Sequence, residues 1–134
     1  MEFHRGRLLD HVHLRVRDLD ASTRFYRAVL AALNLSAAIR EAADYFSADE
    51  LWIDRAEGRT SSVHIAFQAQ SRAAVYAFHA AALAAGGRDN GAPGERTYHP
   101  GYFAAFALDP DGNNVEAVYH GPVELSAESV VVRC

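Results

Sequence analysis

The chain has 134 residues, 50% hydrophobic and 22% charged, with a net charge of -4. That is enough for one sizeable core, and it excludes both a disordered chain and a basic surface for a phosphate backbone. No run approaches the roughly 20 apolar residues that span a bilayer, and the opening MEFHRGRLLD lacks the apolar stretch of a signal peptide, so a cytoplasmic protein without membrane or nucleic-acid partners is expected.

In LLDHVHLRV, alternation puts Val12, Leu14 and Val16 on one face of a strand and His11, His13 and Arg15 on the other. Asp18 or Asp20 can cap a following helix, in which Leu19, Phe25, Val29, Leu30 and Leu33 recur at helical spacing through residue 35. Short apolar stretches at 36–40, 43–48 and 50–55 then read as three antiparallel strands before the turn-like AEGRTS. The next strand, SSVHIAFQAQ, alternates Val63, Ile65 and Phe67 with His64, Ala66 and Gln68. It leads into a helix capped by Ser71, striped by Val75, Phe78 and Leu83 and stopped by Gly86-Gly87. A strand near 87–91, the irregular GAPGERTYHPG, the strand YFAAFAL, the turn DPDGN and the strand NVEAVYH complete the pattern. Asp109 and Asp111 are read as turn residues without a catalytic role.

The order βαβββ thus occurs twice. His11 and His64, Phe25 and Phe78, and Leu30 and Leu83 are each 53 residues apart, the signature of a duplicated unit. Trp52 aligns with Glu116, 64 apart, so the second half carries about 11 extra residues, and these fall in GAPGERTYHPG. Such a loop is where substrate contacts are often carried. The expected fold is α+β: a single domain over 1–134, made of module 1 (8–56), module 2 (60–120) and a tail (121–134). The two curved mixed sheets surround a cleft, with helices outside. The tail segment SVVVRC can supply an edge strand or a dimer contact.

Cleft-facing positions then carry the chemistry. His11 and His64 occupy equivalent places on equivalent strands, and Glu116 faces inward with Val118 and His120 in a strand otherwise largely apolar. Two imidazoles and a carboxylate from three strands form a ligand set for a divalent metal with positions left for water or substrate. A buried carboxylate without a partner is costly, which favours that use of Glu116. His13 points the same way about 7 Å further along its strand and is read as a pocket or second-layer group.

The segments LDHVHLRVRDLDASTRFY, VHIAF and LDPDGNNVEAV together resemble the vicinal oxygen chelate superfamily over residues 8 to 120. That superfamily contains glyoxalase I, the metallothiol transferases of fosfomycin resistance, extradiol dioxygenases and bleomycin-binding proteins. The resemblance implies metal ligands at His11, His64 and Glu116. Bleomycin-binding proteins generally lack this set, so its presence points toward an enzyme.

Departures from the family pattern narrow the choice. The fourth glutamate ligand of glyoxalase I falls on Trp52 here, and a register slip of two residues puts Glu50 there instead. The tyrosine of extradiol dioxygenases falls on Phe106, and the lysine, serine and arginine set of the fosfomycin enzymes is missing. With Ala104, Phe106 and Trp52 on its walls the pocket is largely apolar, and Arg96, Tyr98, His99 and Tyr102 are its expected polar contacts, Arg96 being suited to a substrate carboxylate. The resulting expectation is a homodimeric, glyoxalase I-like lyase or isomerase. It holds zinc, nickel, manganese or iron, and Glu116, His13 and His99 are candidates for proton transfer to or from a small-molecule substrate. A bleomycin-resistance-type sequestering protein and an iron-dependent dioxygenase are the alternatives.

Overall fold

The computed structural model describes residues 2–126 and 128–134. Strand β1 (Glu2–Arg5) opens the chain, and β2 (Val12–Val16) realises the first alternation: Leu14 and Val16 are fully buried while His13 and Arg15 are exposed. Helix α1 (Leu19–Ala32) starts where the Asp18 carboxylate accepts from the Ala21 amide, and it buries Leu19, Phe25, Tyr26, Val29 and Leu30. It ends three residues earlier than the periodicity suggests, because Asn34 takes a left-handed φ of 62° and turns the chain away. Part of the expected 36–40 strand is instead a 3-10 turn over Ser36–Ala38, followed by β3 (Ile39–Glu41), β4 (Phe46–Ala48) and β5 (Leu51–Arg55).

The second unit repeats the plan with β6 (His64–Gln68), α2 (Arg72–Ala84), β7 (Arg88–Glu95), β8 (Phe103–Leu108) and β9 (Asn114–Tyr119). Ser71 caps α2 through Ala74, and Gly86, at φ 96°, lets the chain leave it. Leu83, expected in the buried stripe, is 41% exposed; Ala82 is buried in its stead with Val75 and Phe78. Strand β7 continues through residues expected to be irregular, using register shifts between Asp89 and Gly91 and between Gly91 and Gly94 to stay paired with β8.

Both sheets follow the same order, β2-β5-β4-β3 and β6-β9-β8-β7, each with one parallel pair followed by antiparallel ones. The fold is α+β, two repeated modules with the helices outside, as the sequence indicates. His13 pairs with Trp52 and Ala66 with Glu116. Since 13 and 66 differ by the repeat offset, Trp52 occupies the place equivalent to Glu116, and the slip that would bring Glu50 there does not occur. One continuous core joins the modules, including Leu14, Val16, Phe25, Phe46, Ile53, Val75, Phe78, Ala107 and Val115. Each large side chain there contributes about 1.5–3 kcal/mol by leaving water. The tail forms β10 (Val130–Arg133), which joins neither main sheet but pairs with β1, an element the sequence reading does not foresee. No helix among the described residues is long and apolar enough to cross a membrane.

Candidate functional site

Strands β6 and β9 lie side by side and parallel, with His64 opposite Asn114 and Ala66 opposite Glu116. Alternation puts the His64 and Glu116 side chains on one helix-free face, with His64 Nε2 2.8 Å from Glu116 Oε1. The other carboxylate oxygen, Oε2, accepts from the Tyr102 hydroxyl. Glu116 is only 2% exposed, and these two donors answer the desolvation of its carboxylate. Burial pushes the Tyr102 phenol up to about 12, and its hydrogen bond to Glu116 adds to the rise, so at neutral pH the phenol remains a donor.

Around this pair the second module builds its wall. Phe106 stands opposite Glu116 across β8 and β9, its ring centroid 5.9 Å from that of His64. The Arg96 guanidinium lies over the other part of this wall, 5.3 Å from the Phe106 centroid. Beyond Tyr102, His99 Nε2 and His120 Nδ1 are 2.8 Å apart, and His99 Nδ1 is 2.8 Å from the Pro100 carbonyl. A carbonyl only accepts, so Nδ1 of His99 carries the hydrogen and, in the neutral pair, Nε2 accepts from His120. That arrangement leaves a lone pair on Nε2 of His120.

The first module carries a separate group. His11, His13, Trp52 and Arg5 line a pocket of about 270 Å³. His11 Nδ1 sits 2.7 Å from the Asp10 carboxylate, an orientation that leaves Nε2 for a ligand. Asp54 organises the rest: its Oδ1 is 2.7 Å from His13 Nε2, its Oδ2 accepts from Trp52 Nε1 at 3.2 Å, and Trp52 stacks on Tyr45 with centroids 4.4 Å apart. Burial pushes the Asp54 carboxyl up, but the hydrogen bonds from His13 and Trp52 outweigh it and leave the group below its ordinary 3.8. A depressed carboxyl stabilises the fold above its unfolded value and loses that contribution as pH falls through the folded one. Trp52 emission is therefore expected to hold steady between about pH 5 and pH 4 and to change only below 3.8. An Asp54 carboxyl whose own titration is centred at or above 3.8 contradicts the pairing.

The structure thus brings together His64, Glu116, Tyr102, Phe106 and Arg96, with His99 one ring beyond. It places His11, His13 and Trp52 elsewhere. Among the described residues no three His, Cys, Asp or Glu side chains of one chain converge as a metal cluster. His64 also borders a larger groove of about 490 Å³ between the modules, lined by Val12, Glu50 and Leu51 from the first and Val63 and Ile65 from the second. Sequence reasoning missed Asp54 and Tyr45 as partners of the Trp52 wall, and His120 as the partner of His99. Asp54 was accessible to it, standing two residues after Trp52 and so on the same face of β5.

The family signature described as "Glyoxalase/Bleomycin resistance protein/Dioxygenase superfamily" matches residues 8–117. Among solved structures, a glyoxalase/bleomycin resistance protein from Albidiferax ferrireducens is 29% identical, with a TM-score of 0.66 over 81% of this chain and 94% of that one. A glyoxalase-related enzyme from Fulvimarina pelagi is 19% identical, with a TM-score of 0.69 over 96% of this chain and 99% of that one. The V278E variant of glyoxalase I from Zea mays is 25% identical with a TM-score of 0.55, matching 82% of this chain against 45% of its own. No curated protein matches the sequence significantly.

Proposed function

Because the chain belongs to the Glyoxalase/Bleomycin resistance protein/Dioxygenase superfamily, we propose that it is a metal-dependent, glyoxalase-like enzyme acting on a small oxygen-bearing substrate. The observation that carries this reading is Glu116: a carboxylate buried to 2% exposure in a strand of apolar neighbours, with an imidazole at 2.8 Å. A nitrogen and a carboxylate oxygen so placed suit a borderline divalent cation such as zinc, nickel, manganese or iron. His64 and Glu116 would hold it, with His11 as third ligand. Since His11 sits with the first-module group, the complete set is assembled between two copies of the chain, His11 from one and His64 with Glu116 from the other. This makes the enzyme a homodimer with sites shared by both protomers.

When bound, such a cation supplies Lewis acidity toward the substrate's oxygen atoms. The protein's own groups do the remainder. Glu116 is the carboxylate placed to take or return a proton, and the Tyr102 hydroxyl fixes the orientation of its lone pairs. Phe106 from the second module and Trp52 on its Tyr45 support from the first keep the surroundings apolar. His13, held by Asp54, and His99, held by Pro100 and His120, are the further candidates for proton transfer.

Elemental analysis of the protein purified without chelators tests this directly. About one zinc, nickel, manganese or iron per chain is expected. A protein that remains metal-free after reloading contradicts the reading. It would favour the second one, a sequestering protein of the bleomycin-resistance kind, for which the 36% exposed Trp52 stacked on Tyr45 is the supporting observation. Ligand binding detected by Trp52 fluorescence and indifferent to metal removal identifies that case. Oxygen consumption with ferrous iron identifies a dioxygenase.

A further inference from the structure

Arg96 lies in the 11-residue surplus of the second module, and its surroundings are unusual for an arginine beside a buried carboxylate site. Its guanidinium donates to two backbone carbonyls, from Nη2 to Ala92 at 2.8 Å and from Nη1 to Glu95 at 3.3 Å. A guanidinium has five N–H donors, so most of the fork is uncommitted. Among the described residues no carboxylate reaches it. The neighbouring acid, Glu95, is taken by Arg72 at 2.8 Å, and both oxygens of Glu116 are occupied by His64 and Tyr102.

The backbone beneath Arg96 makes room for this pose. A Cβ at Gly91 would come within 3.2 Å of Nη2 and 3.0 Å of the Phe106 ring, and one at Gly94 within 3.2 Å of Nη1. Gly91 also takes a φ of 151°, which side chains rarely adopt. Both positions are points of register shift in β7, so the irregularity of that strand and the glycines together form a cradle for the guanidinium. The cradle lays the fork across Phe106, whose ring is the neighbour of His64.

We propose that Arg96 is the anchor for an oxyanion of the substrate, a carboxylate or a phosphonate, held beside the Glu116 site. A planar fork with unused donors, half-buried against an aromatic face, is suited to paired charge-assisted hydrogen bonds with such a group. The anchor gives the apolar pocket its selectivity: an anionic carbonyl compound is retained, while its neutral analogue leaves unbonded donors behind. This assignment deepens the preceding functional reading and rests on it for the identity of the reacting site.

The test uses metal-stripped, dialysed full-length protein titrated calorimetrically with phenylglyoxylate, phenylphosphonate and the neutral phenylglyoxylamide. At least one anion should bind about 10-fold or more tightly than the amide, more weakly as salt is raised, and the tighter of the two identifies carboxylate or phosphonate as the preferred group. Arg96→Ala should weaken that anion by about 10-fold or more and leave the amide unchanged. Arg96→Lys, which keeps the charge but not the fork, and Gly94→Ala, which keeps the arginine but fills its cradle, should each fall between wild type and Arg96→Ala. Failure of both anions to bind wild type, equal binding of the amide, or an Arg96→Ala affinity within about twofold of wild type overturns the assignment. Metal content separates this from the functional reading. If Glu116→Gln retains its metal while Arg96→Ala loses the anion, the metal reading fails and the anchor stands.

Discussion

Glu116→Gln is expected to reduce bound metal from about one per chain to less than a tenth of that, and to abolish turnover with it. The substitution is nearly isosteric, so the 2% exposed site stays filled, and the amide oxygen can still accept from either His64 or Tyr102. What it removes is the negative charge that a divalent cation requires, and the far-ultraviolet spectrum should be unchanged. Tyr102→Phe provides the contrast: it takes away one donor to Glu116 but no ligand, so the metal should remain while activity falls. Metal loss of equal size in both variants would mean that Glu116 acts through the polar network of the fold rather than as a ligand.

Asp109→Ala is expected to produce the largest loss of stability, about 4 kcal/mol, and to lower the melting temperature by more than about 10 °C. Asp109 is 3% exposed and is the hub of the turn between β8 and β9. Its Oδ2 accepts from the Tyr26 hydroxyl at 2.6 Å and from Asn113 Nδ2 at 2.9 Å, and its Oδ1 from the amides of Asp111 and Asn113 at 2.9 and 2.8 Å. The turn is tied to both modules, since Tyr26 lies on α1, Arg17 donates its amide to Asp111 at 3.1 Å and Val63 donates its own to Asn113 at 2.8 Å. Removing the carboxylate strands a fully buried phenol and an amide side chain without acceptors. Burial, reinforced by the Asp109 charge, pushes the Tyr26 phenol well above its ordinary range, so it stays a donor throughout the accessible pH range. Tyr26→Phe leaves Asp109 its other three bonds and should cost only about 1–2 kcal/mol. A chemical denaturation series on the two variants checks this. Equal losses, or an Asp109→Ala loss below about 1 kcal/mol, would show that the turn does not link the modules.

These two residues mark where sequence reading succeeded and where it stopped. Glu116 stood out because a charged residue in a largely apolar strand breaks a pattern, and the repeat offset matched His64 to His11, but the pairing of β6 with β9 that sets His64 beside Glu116 was not read from the sequence. Asp109 was read as an ordinary turn residue. DPDGN is indeed a turn, but nothing local indicates that a tyrosine 83 positions earlier closes on it. The strands β2, β6 and β9 followed from alternation, which is a short-range property. The extension of β7 to Glu95 did not, because glycines that ordinarily end a strand here permit its bulges. The pairing of β1 with β10 joins the two ends of the chain and leaves no periodic trace in either. Sequence reasoning put His11, His13 and Trp52 in one cleft with His64 and Glu116, whereas within one chain the structure sets the two groups apart, because their meeting depends on how modules associate.

Complementation between variant protomers shows whether the ligands of one site come from two copies of the chain. His11→Ala and Glu116→Gln proteins, each expected to be metal-poor as homodimers, are mixed, allowed to exchange protomers, and the isolated heterodimer is analysed for metal. If His11 of one protomer meets His64 and Glu116 of the other, each heterodimer regains one intact site and binds about one metal. A heterodimer as empty as its two parents, from a wild-type protein that does bind metal, would contradict a site shared between copies and place all the ligands within one chain.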